Sequence, residues 1–325
     1  MRRVARDDDA GQGPGALKAA GLATARALFK AGAWVGRAAK AGVDAVHPDV
    51  WRHAADLPLV ALTMLGPGAR PVDELPDDGR VPVLFVHGLG GSPGNFLPMR
   101  TYFRALGRPR TLAVALPSDC TVAVLGGVLA DVLEAAARRA PGGEVDVVAH
   151  SLGGLVARAA LLELEARRAL RPAGGPPSDA VPGAPGAGSA TDQASPARGA
   201  APGETPCRVR TLVTLGTPHA GSHLARYANT VTTRDLRPGS AILQRLDAQL
   251  PWKGPPTQPR LIAFWSASDV IILPTEKATV DGAENVELPG LSHNGLLVSP
   301  TAWEAVFRAL DDGRAEASER LPPPR

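Results

Sequence analysis

Six short apolar runs constrain this chain more than any other feature: 81–86, 111–116, 145–149, 209–215, 261–265 and 286–288. A run such as Val81-Pro-Val-Leu-Phe-Val86 lacks polar alternation, the pattern of a strand buried on both faces. Stretches of helical length lie between the runs, at about 95–107, 122–140, 152–170 and 300–311, and Pro141-Gly142-Gly143 closes the second. This alternation predicts an α/β fold: a mostly parallel central sheet with helices on both faces. No run reaches the ~18 apolar residues that suggest a membrane-spanning helix, and no internal repeat is present.

The alternation occupies 81–311, the expected catalytic domain. It leaves an N-terminal extension over 1–80 and a flexible tail over 312–325. Residues 1–15 are polar and Gly-rich, and disorder is expected there. From 16 to 46 the spacing predicts a helix. Leu17, Leu28, Ala31, Val35, Ala39 and Val46 fall on one side, and Lys18, Arg26, Lys30, Arg37 and Lys40 on another. A basic amphipathic helix of this kind suits peripheral contact with an anionic membrane. Its apolar face is thin, so packing against the protein body is the favoured reading. Met1-Arg2-Arg3 opens like a secretory signal, but Asp7-Asp8-Asp9 stands where the apolar core should be. No signal peptide is expected, and the expected location is cytoplasmic.

The 36 Gly and 32 Pro of the chain are unevenly spread. Within 171–206, 24 of 36 residues are Pro, Gly or Ala. Such a stretch cannot bury enough apolar surface to offset its ordering entropy. It reads as a disordered surface insertion, because the run at 209–215 resumes the alternation. Residues 219–258 are less regular, with Leu224, Tyr227, Leu236, Leu243, Leu246 and Trp252. They either form a small cap or pack onto the sheet. The net charge of +3, from 35 basic and 32 acidic residues, gives no basic nucleic-acid surface. Two cysteines, Cys120 and Cys207, exclude a disulfide scaffold, and free thiols are favoured over a single bridge.

The chemistry gathers where runs end. The 145–149 run enters His150-Ser151-Leu152-Gly153-Gly154 and then a helix. This is the strand–turn–helix context of a nucleophile elbow, in which a strained turn projects the serine hydroxyl above the sheet. The residues two before and two after the serine must be small, and they are Ala149 and Gly153. Upstream, the first run ends in His87-Gly88-Leu89-Gly90-Gly91-Ser92, at the carboxyl end of a parallel strand, where open α/β sheets place their sites. Backbone amides of Leu89 and Leu152 are the expected oxyanion donors. The loop fits neither a dinucleotide nor a P-loop glycine pattern.

A serine nucleophile needs a base and an orienting acid, in the chain order Ser, Asp or Glu, His for this topology. His293 lies between the last strand and the last helix and is the expected base. Asp269 follows the 261–265 run and is the expected acid, with Asp281 as the alternative. His219 and His223 precede the acid, and Gly221 between them argues against an i,i+4 metal pair. His87 and His150 read as loop-structuring residues.

With these pieces placed, the chain resembles the α/β-hydrolases of the bacterial triacylglycerol lipase group, and the small lidless members with an Ala-His-Ser-x-Gly elbow above all. The resemblance is carried by Phe85–Gly91 with Asn95-Phe96, Val145–Gly154, Thr214–Ser222, Ser266–Asp269, and Asn285-Val286 with His293–Leu297. It spans about 81–311 without the insertion. Ala149 replaces the usual Gly of the elbow, and residues 1–80 have no counterpart in the small members. Larger relatives hold calcium with an aspartate soon after the base. Asn294-Gly-Leu-Leu-Val-Ser299 offers none, so no metal is expected. The resemblance implies a cofactor-free serine esterase or lipase acting on a small-molecule or lipid ester. An acyltransferase using the same triad is the alternative, and an inactive binding scaffold is disfavoured because all three triad residues stand in order.

Overall fold

The computed structural model describes residues 47–66, 71–170, 206–249, 252 and 258–319. The expected helix over 16–46, the insertion over 171–206 except its last residue, and the end of the tail lie outside the described residues. The six apolar runs become six strands: β1 (Val83–Val86), β2 (Thr111–Val114), β3 (Glu144–His150), β4 (Arg208–Leu215), β5 (Arg260–Trp265) and β6 (Glu284–Glu287). They form one sheet in the order β2-β1-β3-β4-β5-β6, and every neighbouring pair is parallel. The chain leaves β1 toward β2, then crosses back and leaves β3 toward β4. The strand order therefore reverses between β1 and β3, and the crevice beyond their carboxyl ends is where open sheets of this kind bind ligands.

Successive side chains of a strand point to opposite faces, and β1 divides its residues accordingly. Leu84 and Val86 enter one core with Leu125, Leu129 and Leu155. Val83 and Phe85 enter the other with Phe96, Phe103 and Val306. Among the described residues, four long helices cover the sheet. Val122–Ala137 and Leu152–Leu170 lie on the first face, Leu97–Ala105 and Pro300–Glu319 on the second. Phe85 anchors the second core, with its ring 5.0 Å from Phe96 and 5.5 Å from Phe103. In the 219–258 segment, Leu243 and Leu246 are buried in the first core, while Leu224 and Tyr227 are exposed. Cys120 and Cys207 do not form a disulfide. No helix among the described residues is long and apolar enough to cross a membrane.

One helix within the 1–80 extension was not expected from the sequence. We call it α1 (Pro48–Thr63). Pro48 occupies its first turn, where a missing N–H costs nothing. Its second half is apolar on every side: Leu57, Val60 and Met64 are partly buried, while Leu59, Leu62 and Leu65 face outward. Asn95, in the short 3-10 turn Pro93–Phe96, fixes its end. The Asn95 amide donates to the Val60 carbonyl at 3.3 Å and to Thr63 Oγ1 at 3.0 Å. Gly94 permits this approach, because a Cβ there would stand 2.3 Å from the Thr63 carbonyl oxygen.

Candidate active site

Ser151 lies in the tight turn between β3 and the helix Leu152–Leu170, which we call α4 in the chain order α1 to α4 set by the helices above. Its φ is +55°, in the left-handed region that non-glycine residues avoid. Such a conformation costs on the order of 1–3 kcal/mol and persists only where the surroundings hold it. Here the Ser151 amide donates to the Leu215 carbonyl at 2.9 Å. Close packing of strand and helix explains the small residues around it. A Cβ on Gly153 would sit 2.4 Å from the Val86 carbonyl oxygen, and one on Gly88 would sit 2.8 Å from the Ser151 Cβ.

Asp269 and His293 come together from the ends of β5 and β6. His293 Nδ1 lies 2.7 Å from Asp269 Oδ2, and both residues are buried. The other carboxylate oxygen, Oδ1, accepts from the amides of Ile271 at 2.8 Å and Ile272 at 3.0 Å. Burial pushes the Asp269 carboxyl up, but His293 and the two amides outweigh it and hold the group below its usual range. Asp269 is therefore ionised at neutral pH, and its partner nitrogen on His293 is assigned as the N–H. The alternative acid, Asp281, lines a different cavity of about 630 Å³ with Arg158, Asp247 and Glu276.

Ser151 and His293 line one pocket of about 90 Å³. His87, Gly88, Leu89, Gly90 and Gly91 form one wall, and His150 and Leu297 line the pocket as well. Leu57 and Val60 of α1, with Met64 just past its last residue, form another wall. Leu89 stands at the rim with its side chain half-exposed, and Leu152 opens α4 directly after the serine. The residues that the sequence singled out in the 219–258 segment do not line this pocket.

Two further histidines hold the site in shape. His150 Nε2 donates to the His293 carbonyl at 3.0 Å, and the two rings lie 4.7 Å apart. Burial, then the nearby His293 charge, push the His150 pKa down to about 3, so its ring is neutral at working pH. His87 Nδ1 donates to the Gly88 carbonyl at 3.0 Å, and the Leu116 amide points at its Nε2 at 3.4 Å. Burial keeps that ring neutral too. The sequence marked both as loop-structuring, but nothing local foretold that His150 would bond to His293, 143 residues away. Asp56 is a residue that sequence reasoning missed. Ser292, next to His293, donates to Asp56 Oδ2 at 2.6 Å and accepts from the Gly295 amide at 2.9 Å.

His219 lines the second cavity, with Nε2 3.1 Å from Thr214 Oγ1, and His223 begins an exposed 3-10 turn. Among the described residues, no group of three or more His, Cys, Asp or Glu side chains could hold a metal.

A family model described as the alpha/beta hydrolase family matches residues 83–309. The chain belongs to the alpha/beta hydrolase family. Solved structures of the fold agree. The mature lipase BlEst2 of Bacillus licheniformis is 18% identical with a TM-score of 0.51, covering 74% of this chain and 95% of that one. Its propeptide form is 19% identical with a TM-score of 0.50, covering 74% of this chain and 52% of that one. Lipase B of Aspergillus fumigatus is 15% identical at a TM-score of 0.49, with coverage of 72% and 53%. At these identities the likeness to the two BlEst2 structures concerns the fold alone, and the likeness to lipase B, at a TM-score of 0.49, carries no argument. No curated protein matches the sequence.

Proposed function

We propose that this α/β-hydrolase cleaves carboxylic esters through Ser151, His293 and Asp269. The observation that carries the reading is the buried 2.7 Å Asp269–His293 pair, whose His293 lines one pocket with a serine held at φ +55°.

In this reading Ser151 Oγ attacks the ester carbonyl carbon and its proton passes to His293 Nε2. Positioned base catalysis of this kind typically contributes about 10²–10⁴-fold. Asp269 holds the productive tautomer through Nδ1–H and stabilises the imidazolium. The amides of Leu89 and Leu152 receive the oxyanion, aided by the positive end of α4. One such donor is worth about 2.7–4 kcal/mol in the transition state. The tetrahedral intermediate collapses, the alcohol leaves with the proton from His293, and an acyl-serine remains. Water then attacks it, giving its proton to His293, and the acid is released with Ser151 restored.

The test is hydrolysis of p-nitrophenyl acetate and butyrate by the wild type and by Ser151→Ala. The reading expects turnover by the wild type and none above background by the variant. Undiminished turnover by Ser151→Ala overturns it. Product analysis with added alcohols separates hydrolysis from transfer: free acid in excess over new ester supports a hydrolase, and the reverse makes the enzyme an acyltransferase.

A further inference from the structure

We infer that α1 is the acyl-selecting wall of the pocket, and that Leu57, Val60 and Met64 restrict the substrate to esters of short-chain acids. The inference rests on the Ser151 ester-hydrolase reading and names its substrate class.

Three observations carry it. The first is placement. Positions 57, 60 and 64 follow the i, i+3, i+7 spacing of one helix face. That face meets Ser151 and His293 across the pocket. The second is size. The pocket holds about 90 Å³, less than the ~150 Å³ of an apolar cavity that accommodates benzene. Beyond a short acyl chain, further carbons must leave this space at its open side or displace one of these three side chains. The third is fixity. Arg52 Nη1 lies 3.5 Å from Ser268 Oγ, beside the acid. Asp56 accepts from Ser292, beside the base, and Asn95 holds Val60 and Thr63. The helix is tied to the acid loop, the base loop and the loop after β1. The width of the pocket is therefore set by the size of the side chains on α1, and trimming them should widen it.

A hydrophobic pocket discriminates by roughly 10–200-fold per methylene. This sets the expected readout. The experiment measures kcat/KM on p-nitrophenyl esters from acetate to octanoate, and on butyrate esters of several alcohols. It uses the wild-type full chain, Val60→Ala, Met64→Ala, the more conservative Met64→Val, and Val60→Phe. The wild type is expected to prefer acetate to butyrate over octanoate. Val60→Ala and Met64→Ala should raise the octanoate-to-acetate ratio by about 10-fold or more, and Val60→Phe should lower the butyrate-to-acetate ratio by a similar factor. Should an alanine variant fail to fold, Met64→Val carries the same comparison with a smaller loss of volume.

Unchanged acyl ratios in folded variants overturn the inference. So does a wild-type preference for octanoate, or a change confined to the alcohol series. These results leave the parent reading standing as long as Ser151→Ala is dead. A wild type that cleaves no ester removes the parent reading, and the inference with it.

Discussion

His150 makes the fold sensitive to acid, and the size of the effect follows from its surroundings. Burial and the neighbouring His293 lower its pKa from an ordinary 6.5 to about 3. The unfolded chain thus takes up a proton below pH 6.5 that the folded chain refuses until about pH 3. Stability contributed by the neutral ring is complete above pH 6.5 and is lost as pH falls through that window. At pH 5 the unfolded imidazole is almost fully protonated, about 1.5 units below its pKa. At ~1.36 kcal/mol per unit this amounts to about 2 kcal/mol, a large share of the roughly 5–15 kcal/mol that stabilises a domain. The assay is urea unfolding by tryptophan fluorescence at pH 7.5 and pH 5, on the wild type and on His150→Gln. Glutamine keeps a donor near the His293 carbonyl and cannot titrate. His87 and His219, also buried with lowered pKa values, remain in both proteins and cancel in the comparison. The wild type should lose about 2 kcal/mol more than His150→Gln between the two pH values. Equal losses in the two proteins would refute the reasoning.

Other perturbations bear on the same site. Asp269→Asn removes the acceptor that fixes the His293 tautomer, so kcat should fall by about 10³–10⁴ with little change in KM, as read by steady-state kinetics. Asp56→Leu leaves the buried Ser292 hydroxyl without its acceptor. It should cost about 1–3 kcal/mol in thermal or urea unfolding and lower kcat more than it raises KM; an unchanged melting point counts against the Asp56 anchor. Replacing residues 171–205 with a short Gly-Ser linker should leave kcat/KM intact, because the flanking ends already meet: Arg168 Nη2 lies 3.2 Å from the Cys207 carbonyl oxygen.

Much of this architecture is legible in the sequence because its causes are local. The five strands from β1 to β5 announce themselves as apolar runs because a parallel sheet covered on both faces tolerates no polar alternation, whereas the edge strand β6 is Glu-Asn-Val-Glu and exposed at three of its four positions. The elbow is visible in Ala149 and Gly153 because close packing of strand and helix admits nothing larger at these points. Asp269 is legible for a similar reason. Its carboxylate accepts the amides two and three residues ahead, a local turn that fits its position after β5. What was not legible depends on distant partners. The second half of α1 is apolar on every side and contains Pro58, so it shows no helical stripe and no strand alternation. Its inner residues Leu57 and Val60, with Met64 just past its end, line a pocket assembled from residues far along the chain. The same holds for Asp56, whose partner Ser292 is 236 residues away. In the 219–258 segment, Leu243 and Leu246 serve the core, a role that apolar content alone does not separate from lining a pocket.

The proposed function rests on Ser151 as an activated nucleophile. Its most direct test is labelling of the folded protein with a fluorophosphonate, followed by intact-mass measurement and peptide mapping. The account predicts one adduct, on Ser151, whose formation is slowed strongly in His293→Ala and abolished in Ser151→Ala. A folded wild type that acquires no adduct, or acquires it on another residue, would contradict it.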